Sequence, residues 1–139
     1  MNRDGLYDFI RAYRYAVMAS VSGDGAPEAA VIGIAVTPAL EIIFDTTDAT
    51  RKCPNLRRNG RIALVIGGWD KQQTVQYEGI ADEPEGAERE RLLKTYFEAF
   101  PDGPARSEWP GITYFRVRPR WIRYSSYYRP RAIEEFRFD

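Results

Sequence analysis

The chain has 139 residues, 44% of them apolar and 14% aromatic, which is enough for one domain with a real core and too little for two. Its 20 basic and 20 acidic residues cancel, so no overall field draws it to nucleic acid or an anionic membrane. The absence of histidine excludes Ser-His-Asp and Cys-His nucleophiles and His-ligated zinc or haem iron, so any enzymatic reactivity is expected to come from a bound cofactor.

A lone Cys53 offers no disulfide framework, and no cationic start leads into a long apolar segment, so the expectation is a cytoplasmic protein with no membrane partner. Leu6, Phe9, Ile10 and Tyr13 recur at helical spacing opposite Asp4, Asp8, Arg11 and Arg14, which predicts an amphipathic helix over residues 4–14 serving as a lid. Tyr15 to Ser22 reads as a strand, Ser22-Gly23-Asp24-Gly25 as a tight turn, and about Glu28 to Val36 as the returning strand. Thr37-Pro38-Ala39 turns the chain into a third strand, Leu40 to Asp45, making an antiparallel meander. Gly33 interrupts the second strand, where glycine weakens pairing unless something approaches the backbone closely. A flat aromatic ring and a barrel-bending bulge both meet that condition.

The β-branched and aromatic run Ile42-Ile43-Phe44 leads into the polar turn Asp45-Thr46-Thr47-Asp48. A helix then opens near Thr50, with Pro54 in its first turn and Asn59-Gly60 at its C-terminal cap. Arg51 and Lys52 stand at the positive end of that helix, where the macrodipole disfavours cations by about 0.3 kcal/mol or more. Two readings account for them. One is a solvated surface pair; the other is a compensating anion, such as a phosphate, held by free N–H groups, the Thr46, Thr47 and Thr50 hydroxyls and both cations.

Arg61 to Ile66 and Gln73 to Ile80 form a hairpin around Gly67-Gly68-Trp69-Asp70-Lys71, with Val75 and Tyr77 alternating against Thr74, Gln76 and Glu78. From Pro84 to about Phe100 a helix carries the apolar stripe Leu92, Leu93, Tyr96, Phe97 and Phe100, read as core or dimer contact. Glu88, Arg89, Glu90, Arg91 and Lys94 make its solvated face. Pro101 to Pro110 is a loop long enough to reach over a neighbouring surface. Ile112 to Arg118 and Arg120 to Ser126 close the fold as a pair of strands, with Arg116, Arg118, Arg120 and Arg123 set between aromatics. Such interleaving stacks single-stranded nucleic acid or builds interface ion pairs, and the neutral charge balance favours the interface.

The stretch Thr46-Thr47, Thr50-Arg51-Lys52, Leu56, Asn59-Gly60 and the strand Ile62 to Ile66 resembles the pyridoxamine 5'-phosphate oxidase-like, FMN-binding split-barrel superfamily. There, Thr-Asn, Ser-Arg-Lys, a short helix, Asn-Pro and a strand follow at the same spacing. Thr74-Val75-Gln76-Tyr77-Glu78-Gly79 is similar to that family's Gln-Val-Arg-Val-x-Gly strand. The likeness runs over about residues 15–83 and continues more weakly through Phe115-Arg116-Val117-Arg118-Pro119 and Trp121-Ile122-Arg123-Tyr124.

The resemblance implies a mainly β (α+β) fold, a small antiparallel split β-barrel with covering helices, as a single domain over residues 1–139. A barrel this small fills its own interior, so the cofactor binds outside it. The family is dimeric with FMN in the groove between two barrels. The resemblance therefore implies a homodimeric FMN-binding oxidoreductase acting on a small-molecule substrate. Thr46, Thr47, Thr50, Arg51 and Lys52 would hold the phosphate and the backbone of Val31, Ile32 and Gly33 would lie beside the ring. Two readings account for Thr74, Gln73 and Gln76: donors and acceptors for the ring's polar edge, or the solvated face of their strand. F420 is the alternative cofactor, and a non-catalytic flavin- or nucleic-acid-binding module is the alternative to an enzyme. The true oxidases carry an Arg and a Lys on the strand before the turn, where Ala30 and Ala35 stand here, and a C-terminal Arg-x-His that a chain without histidine cannot have. The vitamin substrate is therefore not expected.

Overall fold

Strand-forming runs bounded by polar turns dominate the chain, and the computed structural model, which describes residues 1–139, gathers them into one 8-stranded sheet. In order, the elements are α1 (Arg3–Arg11), β1 (Tyr15–Val21), β2 (Pro27–Gly33), β3 (Ala35–Val36), β4 (Ile42–Thr47) and α2 (Lys52–Arg58). There follow β5 (Arg61–Gly67), β6 (Gln73–Asp82), α3 (Gly86–Ala99), α4 (Gly103–Arg106), β7 (Ile112–Ser126) and β8 (Ala132–Arg137). The strands lie in the order β2-β1-β5-β6-β7-β4-β3, with β8 added to β7, and every pairing is antiparallel. This curled antiparallel sheet with few helices is a split barrel.

The meander expected of the first three strands does not form. The second of them breaks at Ile34, whose N–H leaves the ladder for the Arg14 carbonyl at 2.9 Å. β2 therefore pairs with β1, while β3 pairs with β4 at the opposite end of the strand order. One extended stretch thus bridges the two edges of the sheet. The expected closing pair is likewise a single strand, the 15-residue β7, which carries Pro119 at a bulge where Glu78 faces Trp121 but Gly79 faces Pro119. A bulge tolerates the missing proline N–H. Gly79 is required there because a Cβ would lie 2.3 Å from the Arg118 carbonyl.

Leu6 and Ile10 of α1 are fully buried and join the core of Phe44, Leu64, Tyr77, Phe115 and Val117, so the helix plugs the barrel as well as covering it. Asn2 caps it by accepting from the Gly5 N–H at 2.9 Å. The stripe on α3 forms a second cluster in which Leu92, Tyr96 and Phe100 pack on Ala35, Ile43 and Tyr114. The opposite face of α3 is not wholly solvated as expected, since Arg91 reaches Glu41 at 3.0 Å and Glu88 takes Arg116 at 3.2 Å. The expected loop after α3 contains α4, whose Arg106 donates to Asp45 at 2.9 Å, so it folds onto its own chain. No helix is long and apolar enough to cross a membrane.

Candidate functional site

At the end of β4, Thr46 and Thr47 stand opposite Thr113 and Ile112 of β7. The Thr46 and Thr50 hydroxyls lie 2.9 Å apart, and Thr50 Oγ1 donates to the Thr47 carbonyl at 2.9 Å, closing the turn through hydroxyls. Asp48 fixes the outer side: its N–H donates to the Gly111 carbonyl at 2.9 Å, and a Cβ on Gly111, whose φ is 75°, would lie 2.2 Å from Asp48 Oδ1. The Thr46 and Thr50 hydroxyls therefore converge, while Thr47 enters the turn through its backbone carbonyl.

α2 starts directly after this turn, and its two cations differ. Arg51 has a partner from within the chain, donating through Nη1 to Glu28 Oε2 at 2.9 Å. The other Glu28 oxygen accepts from Asn55 Nδ2 at 2.8 Å, and Asn55 also reaches Ser20 Oγ at 3.2 Å. Glu28 is thus a largely buried carboxylate with a donor on each oxygen, while Arg51 is mostly exposed. Lys52 joins none of the ion pairs, and burial lowers its ammonium below the ordinary lysine value. Cys53 is sealed in the core, where burial pushes its thiol up.

Sequence reasoning missed Glu28, Asn55 and Ser20. The signal was present in β2: Glu28 is in phase with Ala30 and Ile32, the inward-facing positions, and an inward carboxylate needs donors.

Val31, Ile32 and Gly33 lie three to five residues along β2 from Glu28, about 10–17 Å at ~3.3 Å per residue. Val31 points outward and is 68% exposed, whereas Ile32 points into the core. The close approach at Gly33 is made by the protein itself: a Cβ there would sit 3.0 Å from Phe100 Cζ. Thr74 is not brought to the Thr46 cluster within one chain, because it pairs with Ser125 near the end of β7 while Thr46 pairs with Thr113 near its start. It packs instead beside Gly68, where a Cβ would lie 2.6 Å from its methyl group. Gln73 donates to the Tyr124 hydroxyl at 2.9 Å. Beside it, Phe9, Tyr13, Tyr15 and Trp69 line a cleft of about 280 Å³. The Tyr13 hydroxyl donates to Asp70 at 2.9 Å, and burial followed by that carboxylate pushes its pKa up to about 12.

The outward side of β2, β1 and β5 carries an apolar patch. Val31, Val17 and Val65 form one row across β2, β1 and β5, with exposures of 68%, 40% and 42%, and Ala29, Ala19 and Ala63 form the next. No helix covers it. The structure contains no group of three or more His, Cys, Asp or Glu that could hold a metal ion.

No curated protein matches the chain. Solved structures do, at identities that speak to the fold. The haem-binding protein of Mycobacterium smegmatis superposes with a TM-score of 0.84 at 16% identity, over 99% of this chain and 58% of that one. A putative pyridoxamine 5'-phosphate oxidase of Listeria innocua gives 0.70 at 21% identity, over 88% and 96%. The haem storage protein HutZ of Vibrio cholerae gives 0.72 at 15% identity, over 83% and 87%. The chain thus spans 58% of the first of these and 60% of a protein of unknown function from Agrobacterium tumefaciens. The family model for pyridoxamine 5'-phosphate oxidase matches residues 4–126, nearly the whole curled sheet and its helices, so the chain belongs to the pyridoxamine 5'-phosphate oxidase family.

Proposed function

We propose that this chain binds a flavin nucleotide, FMN in the first place, at the end of β4 and serves as a flavin-dependent oxidoreductase. The observation that carries this reading is the turn closed by the Thr46 and Thr50 hydroxyls, from which α2 opens directly with Lys52, a partly buried ammonium that joins no ion pair. A cation held in that state is completed by an incoming anion, and a phosphate accepts from ammonium, hydroxyl and guanidinium donors alike. The backbone of Val31 to Gly33 runs from this cluster along β2 and offers an edge beside which a planar ring can lie. A bound flavin supplies hydride and electron transfer. The chain's part is to hold the phosphate, seat the ring and keep water from it.

Haem fits the donor set less well. With no histidine in the chain and with Cys53 and Met18 buried, the axial ligands left to an iron are Met1 and exposed tyrosines such as Tyr15, Tyr127 and Tyr128. Pyridoxamine 5'-phosphate is not the substrate we propose, because Ala30 carries no charge and Ala35 is packed beneath α3. F420 remains the second cofactor reading, since its phosphate would meet the same donors.

The partner we propose is a second copy, docked on the Val17, Val31 and Val65 face and contributing the region around Thr74 to its neighbour's site. Purification followed by heat release is the test: a flavin absorption spectrum in the supernatant, or quenching of added FMN fluorescence at micromolar protein, is expected. A colourless protein that quenches neither FMN nor F420 would overturn the reading.

A further inference from the structure

We infer that Glu28 determines how strongly the site selects for a charged phosphate end on its ligand, by holding Arg51 in an internal ion pair. This rests on the flavin reading above. Arg51 donates to Glu28 Oε2 at 2.9 Å, and Glu28 cannot easily move away, because Asn55 holds its other oxygen at 2.8 Å from the buried side of α2. The side chain of Glu28 is only 20% exposed, against 73% for Arg51, so the carboxylate is the fixed member of the pair and the guanidinium the movable one. Two consequences follow from charge alone. The site presents one free cation, Lys52, where its sequence has two. A phosphate that recruits Arg51 must also take it from a carboxylate that already satisfies it, so the gain is the difference between two similar contacts. Glu28 thereby keeps a nucleotide end and an uncharged end closer in affinity than two unpaired cations would, and makes a phosphorylated flavin an exchangeable ligand.

Glu28→Gln is the discriminating variant. The amide oxygen still accepts from Asn55, so α2 stays docked, but the charge on Arg51 is no longer neutralised. Affinities for FMN and for riboflavin, which lacks the phosphate, are measured by fluorescence quenching in both proteins. Riboflavin affinity is expected to be the same in the two, while FMN affinity rises about tenfold or more in Glu28→Gln. In an Arg51→Ala background the gain should vanish, and Arg51→Ala alone should lower FMN affinity less in the wild type than in Glu28→Gln. An unchanged FMN-to-riboflavin ratio, with both flavins bound, overturns the role of Glu28 and leaves the flavin site standing. A ratio that falls shows that Glu28 orients Arg51 toward the phosphate, which also overturns it. A gain that persists without Arg51 removes the proposed route through that residue. Absence of binding by either flavin to either protein overturns the flavin reading itself. Should Glu28→Gln fail to fold, the Arg51→Ala protein decides alone: a loss of FMN affinity of a hundredfold or more would mean that Arg51 is free for the phosphate.

Discussion

Gly33 shows how a sequence can pose the right question and withhold the answer. A glycine inside a strand of Val and Ile signals close approach, and a flat aromatic ring was one candidate for what approaches. The ring is Phe100, from a helix 67 positions further along, a distance over which no local pattern reports. Gly33→Ala should therefore destabilise the cofactor-free protein by about 1–3 kcal/mol through overpacking, seen as a lowered thermal midpoint. Phe100→Leu in the same chain should recover part of the loss. An unchanged midpoint with lost flavin binding would assign the glycine to the ligand instead. Lys52 was legible, because a cation at a helix start breaks a local rule. Its ammonium lies below the ordinary 10.5, so the folded protein disfavours the charged form, and cofactor-free stability should rise with pH through that lowered value. FMN binding, which draws on the charged form, should weaken over the same interval, and titrations at stepped pH should show Lys52→Met losing the dependence. An FMN affinity flat to pH 10.5 in the wild type would exclude Lys52 from the phosphate.

At the scale of elements, helix existence and the apolar stripe of α3 were readable from periodicity, but how α3 is fastened was not. Its charged face passes for a solvated one until the turn before β4 and the strand β7 place Glu41 and Arg116 beside it. Arg116 donates to both Asp82 oxygens at 3.0 and 2.8 Å and to Glu88 at 3.2 Å, while Arg91 spans Glu41 at 3.0 and 3.1 Å. Burial pushes the Glu41 carboxyl up, but hydrogen bonds from Arg91 and Thr37 outweigh it and hold the group below the usual 4.5. A lowered carboxylate stabilises the fold above its unfolded value and ceases to do so as pH falls through the folded one. The protein should thus lose stability on acidification below 4.5, and Glu41→Gln should flatten that slope in denaturant titrations. Arg116→Met leaves several carboxylates facing one another and should cost about 3 kcal/mol, with amide exchange in α3 accelerating first. Exchange that speeds up uniformly over the barrel would mean that the network does not serve α3 in particular.

For the molecule as a whole, the split barrel was legible because short strands, turn residues and the Thr46 to Lys52 pattern all agree, whereas the strand order was not. Pairings such as β4 with β7 join segments some seventy residues apart, and nothing in either strand alone specifies its partner. The apolar sheet face lies at this scale too. Each valine in it sits in an ordinary alternating strand, and only the register that puts Val17 between Val31 and Val65 reveals a continuous patch. Its side chains are small, so two such faces can approach to the spacing of stacked sheets, about 10 Å. Val17 is at the centre of the row, so Val17→Lys would bury an unpaired charge from each copy if the face is the contact between copies. That costs several kcal/mol, so the dimer should weaken by about a hundredfold or more. Because Val17 is 40% exposed in the single chain, the fold of each copy should survive, with an unchanged far-ultraviolet circular dichroism spectrum. Sedimentation at micromolar concentration should then show the wild type as a dimer and Val17→Lys as a folded monomer with reduced FMN affinity, since each site would lose the wall contributed by its neighbour. A wild type that sediments as a monomer when saturated with FMN, or a Val17→Lys protein that remains a dimer, would show that this face is not where the copies meet.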